Sequence, residues 1–168
     1  MKKILIAALV ILALGGAWYA FGKGSGASPT NSAQTTNSDV FTENSLGFSF
    51  AIPAGFHAQK LLNDSGETIL VQSADDTNGF QVYITPFTGS ASDIIKQNIE
   101  QQARMTVAND SPITVASVAQ GLQFDSASDT PPTRQAWFVY QGYLYQAQTW
   151  ASDAQLLQQI LASWKFQS

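Results

Sequence analysis

No position from residue 4 to residue 22 carries a charge and most are apolar, none from 24 to 39 carries a large apolar side chain, and beyond residue 40 the two kinds interleave. The first stretch, Ile4 to Gly22, lies between Lys2-Lys3 and Lys23. A helix of that length is about 28 Å long, close to the hydrocarbon thickness of a bilayer. Residues 1–23 are therefore expected to be one N-terminal transmembrane anchor, in contact with the membrane through residues 4–22. Trp18, Tyr19 and Phe21 fall where the helix would leave the hydrocarbon, the depth at which aromatic rings gather. A cleaved signal peptide would end sooner, at an A-x-A-like site, whereas Ala17 and Ala20 enclose two bulky aromatics. Retention is the expectation, and a secreted domain released by signal peptidase is the alternative. Lys2 and Lys3 with the terminal amine outweigh Lys23, which places the N-terminus in the cytoplasm and the C-terminal domain outside the cell membrane.

The second stretch, residues 24–39, reads GSGASPTNSAQTTNSD. It offers too little apolar surface to offset its ordering entropy, so a flexible linker with an r.m.s. span of roughly 22 Å is expected. The remainder, residues 40–168, suits one core and is too short for two ordinary domains. Within it, Phe48, Phe50 and Ile52 alternate with Ser49 and Ala51 before Pro53 and Gly55, which predicts a strand. Thr68 to Ser73 and Phe80 to Thr85 predict a hairpin turned through Asp75-Asp76-Thr77-Asn78-Gly79. A helix is predicted from Asp93 to Val107, with Ser90 or Ser92 as cap, Ile95, Ile99 and Ala103 on one face, and Pro112 beyond its end.

Ile113 to Ala119 and Leu122 to Phe124 predict two short strands turned at Gln120 and Gly121. Arg134 to Tyr140 and Tyr143 to Trp150 predict a second hairpin joined by Gln141-Gly142. Ser152 with Gln155 forms a capping-box pattern ahead of a terminal helix, whose stripe is Leu156, Leu157, Ile160, Leu161 and Trp164. Hairpin connections without repeated βαβ crossovers imply an α+β domain, a mostly antiparallel sheet covered by helices.

Two segments carry a family likeness. Gly47-Phe48-Ser49-Phe50-Ala51-Ile52-Pro53-Ala54-Gly55-Phe56 and Ile160-Leu161-Ala162-Ser163-Trp164-Lys165-Phe166 resemble the start and finish of PsbP-like domains of the Mog1/PsbP fold. The resemblance covers about residues 44 to 168 and implies an α/β/α sandwich of the kind found in short membrane-anchored or secreted bacterial proteins. It also implies non-catalytic roles in protein binding or assembly: plant PsbP proteins bind photosystem II on the lumenal side, and Mog1 binds a small GTPase. No partner-contacting motif of either transfers residue by residue, and fold alone does not license function.

Charge and chemistry narrow the classes further. From Asp39 onward five cations, Lys60, Lys96, Arg104, Arg134 and Lys165, stand against all twelve acids of the chain, a net charge of −7. Such a surface repels phosphate backbones, so nucleic acid is not an expected partner. With no cysteine there is no disulfide, thiolate nucleophile or Cys-ligated zinc. His57 is the sole histidine; a serine hydrolase would pair it with a serine and a carboxylate, but no G-x-S-x-G elbow accompanies it. One imidazole cannot gather a zinc site. The Asp75-to-Gly79 turn lacks the spaced carboxylates and distal Glu of a calcium loop, and no two acids are placed as a glycosidase pair. Gly22, Gly24 and Gly26 follow no strand and form no phosphate loop.

Trp137, Phe138, Tyr140, Tyr143, Tyr145 and Trp150 could supply a recognition surface, but alternate residues of a hairpin face the core. Asn63-Asp64-Ser65 and Asn109-Asp110-Ser111 match the glycosylation pattern, which has frequent chance hits. No catalytic, cofactor-binding or metal-binding residue is assigned and no cofactor is expected. The expected function is a non-enzymatic, extracytoplasmic binding or assembly module with a monomeric domain and a protein or cell-envelope partner. An envelope hydrolase using His57 with a serine is the competing class.

Overall fold

The structure, a computed structural model, describes residues 34–36, 39–63, 66–88, 106–126, 129 and 131–167. The expected anchor, most of the linker and the expected helix from Asp93 through residue 105 lie outside them. Among the described residues no helix is long and apolar enough to cross a membrane.

The alternation at Phe48 and Phe50 produces a strand whose phenylalanines are buried while Ser49 and Ala51 face outward. In chain order the strands are β1 (Gln34–Thr36), β2 (Val40–Glu43), β3 (Phe48–Ala51), β4 (Phe56–Asn63), β5 (Gly66–Ser73), β6 (Gly79–Pro86), β7 (Val107–Val115), β8 (Ala119–Ser126), β9 (Thr133–Tyr140) and β10 (Tyr143–Trp150). A 3₁₀ turn (Ala151–Asp153), helix α1 (Ala154–Ser163) and β11 (Lys165–Phe166) follow. Eight strands form one antiparallel sheet in the order β1-β4-β5-β6-β10-β9-β8-β7, and β11-β3-β2 form a second, smaller one. Among the described residues there is a single α-helix, so the fold is dominated by sheet rather than covered by helices.

The core lies where α1 and the small sheet pack on one face of the large sheet. Ala58, Ile69, Val71, Val82, Ala147, Ala136 and Phe138 meet Phe41, Phe48, Phe50, Leu157 and Ile160 there. Trp164, just past α1, sits at its centre. Its ring stacks on Phe48 at 4.8 Å and Phe50 at 5.1 Å and meets Phe138 (5.4 Å) and Tyr145 (6.0 Å) edge-on. Ser163 Oγ fixes the end of the helix to the small sheet, accepting from Ala51 N (3.0 Å) and donating to Ile160 O (2.9 Å). On the opposite face of the large sheet Phe124, Trp137 and Leu144 form a second buried cluster. Accordingly β6 is buried from Gly79 to Ile84 without alternation, as a strand covered on both faces should be.

Both predicted hairpins form, and Gln141 and Gly142 both take positive φ (46° and 80°) at the β9–β10 turn. Several expectations are corrected. Within the expected linker, Gln34–Thr36 pair with Ala58–Lys60 as an edge strand. Val107 opens β7 rather than closing a helix, and Pro112 does not stop one. It sits in the outermost of the described strands, where a missing N–H costs the ladder least. A register shift between Ala108 and Ser111 and a positive φ at Asn109 interrupt the same strand. The β7–β8 turn falls at Ala116-Ser117-Val118, not at Gln120-Gly121. The capping box is not made: α1 starts from the 3₁₀ turn with Asp153 at the cap position and no side-chain cap bond.

Gly121 is a glycine for a steric reason. It lies inside β8 opposite Phe138, and a Cβ there would run into the Trp137 carbonyl and come within 2.6 Å of Phe138 Cβ. Gly121→Val should therefore destabilise the domain by about 1–3 kcal/mol through overpacking, read as a lower urea midpoint at unchanged m.

Candidate functional site

Strand periodicity brings together three charged residues that the sequence leaves far apart. Lys60 shares the inner face of β4 with Ala58, and its backbone partner on β5 is Ile69. Glu67 lies two residues before Ile69, hence on the same face. Glu43 ends β2, in the small sheet. Lys60 Nζ bridges them, pairing with Glu67 Oε2 at 2.9 Å and with Glu43 Oε2 more closely still. The Glu43 side chain is only 7% exposed. Its Oε1 also accepts from the Ser45 amide (3.0 Å) and the Ser45 hydroxyl. Glu67 has no such help among the described residues, where its Oε1 is buried without a partner.

These environments separate the acids. Burial works against the Glu43 anion, but bonds from Lys60 and Ser45 outweigh it and hold the carboxyl below its ordinary value. Burial dominates at Glu67 and, although Lys60 opposes it, leaves that carboxyl above its ordinary value. Burial also disfavours the Lys60 cation, yet its bonds to Glu43 and Glu67 prevail and raise its pKa. The ammonium is thus kept charged and is no nucleophile. Ser45 gives its proton to a weakened base, which is a poor arrangement for nucleophilic attack. What the trio does is tie β2 of the small sheet to β4 and β5 of the large one.

The sequence-derived candidates are placed as follows. His57 lies on β4 opposite Gln72, while Ser73 pairs with Phe56, so their side chains leave opposite faces of the sheet. The Ser73 hydroxyl is already engaged with Asp75 Oδ1 (2.6 Å) and Asn78 O (3.2 Å). The serine–histidine alliance of a hydrolase is not assembled from these two. Asp75 Oδ1 also accepts from Thr77 N (3.2 Å) and Thr77 Oγ1 (2.8 Å). Those bonds, from Ser73 first and then Thr77, hold Asp75 below its ordinary value and organise the turn itself. Among the described residues no three His, Asp or Glu side chains gather as a metal site.

The aromatic set divides between the two faces. Phe138 stacks on Tyr145 at 5.1 Å in the main core, where burial pushes the Tyr145 phenol up. Trp137 faces the other way and donates Nε1 to Gln135 Oε1 at 2.8 Å. Tyr140 stacks on Phe166 at 3.8 Å, half-buried. Most of these rings are therefore packing, with Tyr140, Tyr143 and Trp150 retaining partial exposure. Asn109 donates to Asp125 Oδ2 (2.7 Å), and Arg134 pairs with Oδ1 of the same carboxylate (2.9 Å).

Sequence reasoning missed the Glu43–Lys60–Glu67 trio. One signal was present: Phe56, Ala58 and Lys60 alternate with His57 and Gln59, a period-two run whose inner face carries a lysine.

No protein-family model and no curated protein matches the chain. Among solved structures it is similar to the solution structure of cyanobacterial PsbP (CyanoP) from Synechocystis sp. PCC 6803, with a TM-score of 0.53 and 12% identity over 86% of this chain and 98% of that one. At such identity the likeness is one of fold, and it agrees with the resemblance of the two terminal segments. The chain has a mostly antiparallel, PsbP-like fold with one helix among its described residues.

Proposed function

We infer that the chain is a non-enzymatic binding or assembly module, carried by residues 4–22 in a cell membrane and facing the extracytoplasmic side. The observation that carries this reading is the PsbP-like fold, which spans nearly the whole of a solved PsbP. The trio fits it: the ammonium of Lys60 and the carboxylate of Glu43 are spent on each other and on Ser45, as in a structural tie. The uncharged run of residues 4–22 supports the membrane placement, and the partner would be a protein or another envelope component.

Crosslinking the full chain in its native membrane should capture the same neighbour repeatedly, and His57→Ala should leave that capture unchanged. Capture of abundant membrane proteins in proportion to their amounts alone would refute the binding role. The full chain should also stay with membranes through an alkaline wash and leave only with detergent. Release by the wash, or mature chain beginning after Ala20 in the medium, would refute the anchor.

A further inference from the structure

Glu43, Lys60 and Glu67 hold two negative charges and one positive charge at the junction of the two sheets. Donors are divided unequally between the acids. Glu43 receives the Ser45 amide, the Ser45 hydroxyl and the Lys60 ammonium. Among the described residues Glu67 receives only Lys60, on Oε2, and its other oxygen is buried with no donor. A buried carboxylate oxygen without a donor loses the solvation it had in water, and a proton is the smallest group that remedies this. The second carboxylate nearby adds repulsion in the same direction.

We propose that the trio is a proton-sensitive clasp between the two sheets, in which Glu67 takes up the proton on mild acidification and the small sheet is then held more firmly. Among the described residues the groups facing Glu67 are Lys60 from β4, Glu43 from β2 and, on β10, the Tyr145 phenol, which feels both carboxylates; Tyr140 and Tyr143 act on that phenol in turn. Its backbone partner on β6 is the uncharged Ile84. Protonation leaves the clasp with one positive and one negative charge, already joined through Lys60 and Glu43. The inference stands apart from the binding role, because it concerns how the two sheets are held together.

The sign follows from linkage. A carboxyl that is harder to ionise folded than unfolded binds its proton more tightly in the native state. Its contribution to stability therefore grows as pH falls through the folded pKa and is complete below the unfolded one. Glu43 and Asp125, both held below their ordinary values, act oppositely, and their contributions are lost only as pH falls through their own lower pKa values.

The test compares the full chain in detergent with its Glu67→Gln variant, an uncharged mimic of the protonated state, by urea unfolding from neutral pH to pH 4. The wild-type unfolding constant should exceed that of the variant at neutral pH. The two should converge as pH falls, by no more than about tenfold per pH unit, the limit for one proton. A ratio that stays constant or widens on acidification would overturn the proposal. A second measurement does not depend on the variant folding: the ¹³C titration of the Glu67 carboxyl in wild-type chain should have its midpoint above the ordinary 4.5. A midpoint at or below that value would equally overturn it.

Discussion

Trp164→Ala should cost the domain about 3–5 kcal/mol, the largest loss expected from any single truncation here. The ring is 3% exposed and wedged between two stacked phenylalanines and two edge-on rings, so its removal opens a cavity that neither sheet can close without breaking strand pairing. The residue also joins α1 to β11, which adds a strand beside Phe48. Its loss should loosen the helix and the small sheet together. Trp164→Phe separates packing from polarity. Among the described residues the indole Nε1–H is buried without an acceptor, so this change removes an uncompensated donor along with some volume, and it should cost only about 1–2 kcal/mol. Urea midpoints at constant m would check both values. If the two variants proved equally damaging, the orphaned donor would have to be carrying weight that its surroundings do not explain.

Lys60→Met should be the second costly change, at about 2–4 kcal/mol near neutral pH. It keeps most of the aliphatic stem and removes the cation that, among the described residues, both carboxylates share. The partial exposure of Lys60, 18% of its side chain, places the loss below that of a fully buried pair. Its pH dependence is the diagnostic part. Without the ammonium the two acids repel each other and ionise less readily in the folded chain, so the deficit should shrink as acidification neutralises them. Thermal melts at pH 7 and pH 5 would show the variant recovering toward wild type. A deficit of the same size at both pH values would assign the loss to packing alone. In the native protein the raised pKa of Lys60 keeps its contribution intact through neutrality; that contribution is lost only as pH rises through the folded value.

The parts of the fold that were legible in the sequence are those where one residue carries one local meaning. Phe48 and Phe50 alternate with small residues because one side of β3 is buried, and Gln141-Gly142 reverses the chain because both residues accept a left-handed backbone. Legibility failed where a residue answered to something distant. Gly121 looked like a turn, but its missing side chain makes room for Phe138 on the neighbouring strand. The true turn at Ala116 and Ser117 uses positive φ at residues that give no local sign of it. Strand β4 is not announced locally because Lys60 breaks the apolar pattern of its inner face, and that lysine is what the candidate site is built around. The trio has no motif spacing, since only the crossing of the small sheet over the edge of the large one brings Glu43 to it.

Strand β7 is one of the two margins of the large sheet among the described strands. A margin of unpaired amides and carbonyls along an eight-stranded sheet is a natural template for fibril growth. Here the template is spoiled three times within a few residues: by the register shift after Ala108, by the left-handed backbone at Asn109, and by Pro112, which offers no amide to an incoming chain. A neighbour that tried to extend the ladder would lose step with it almost at once. At this margin the obstacle to such growth lies in the backbone itself, beside the exposed carboxylate of Asp110.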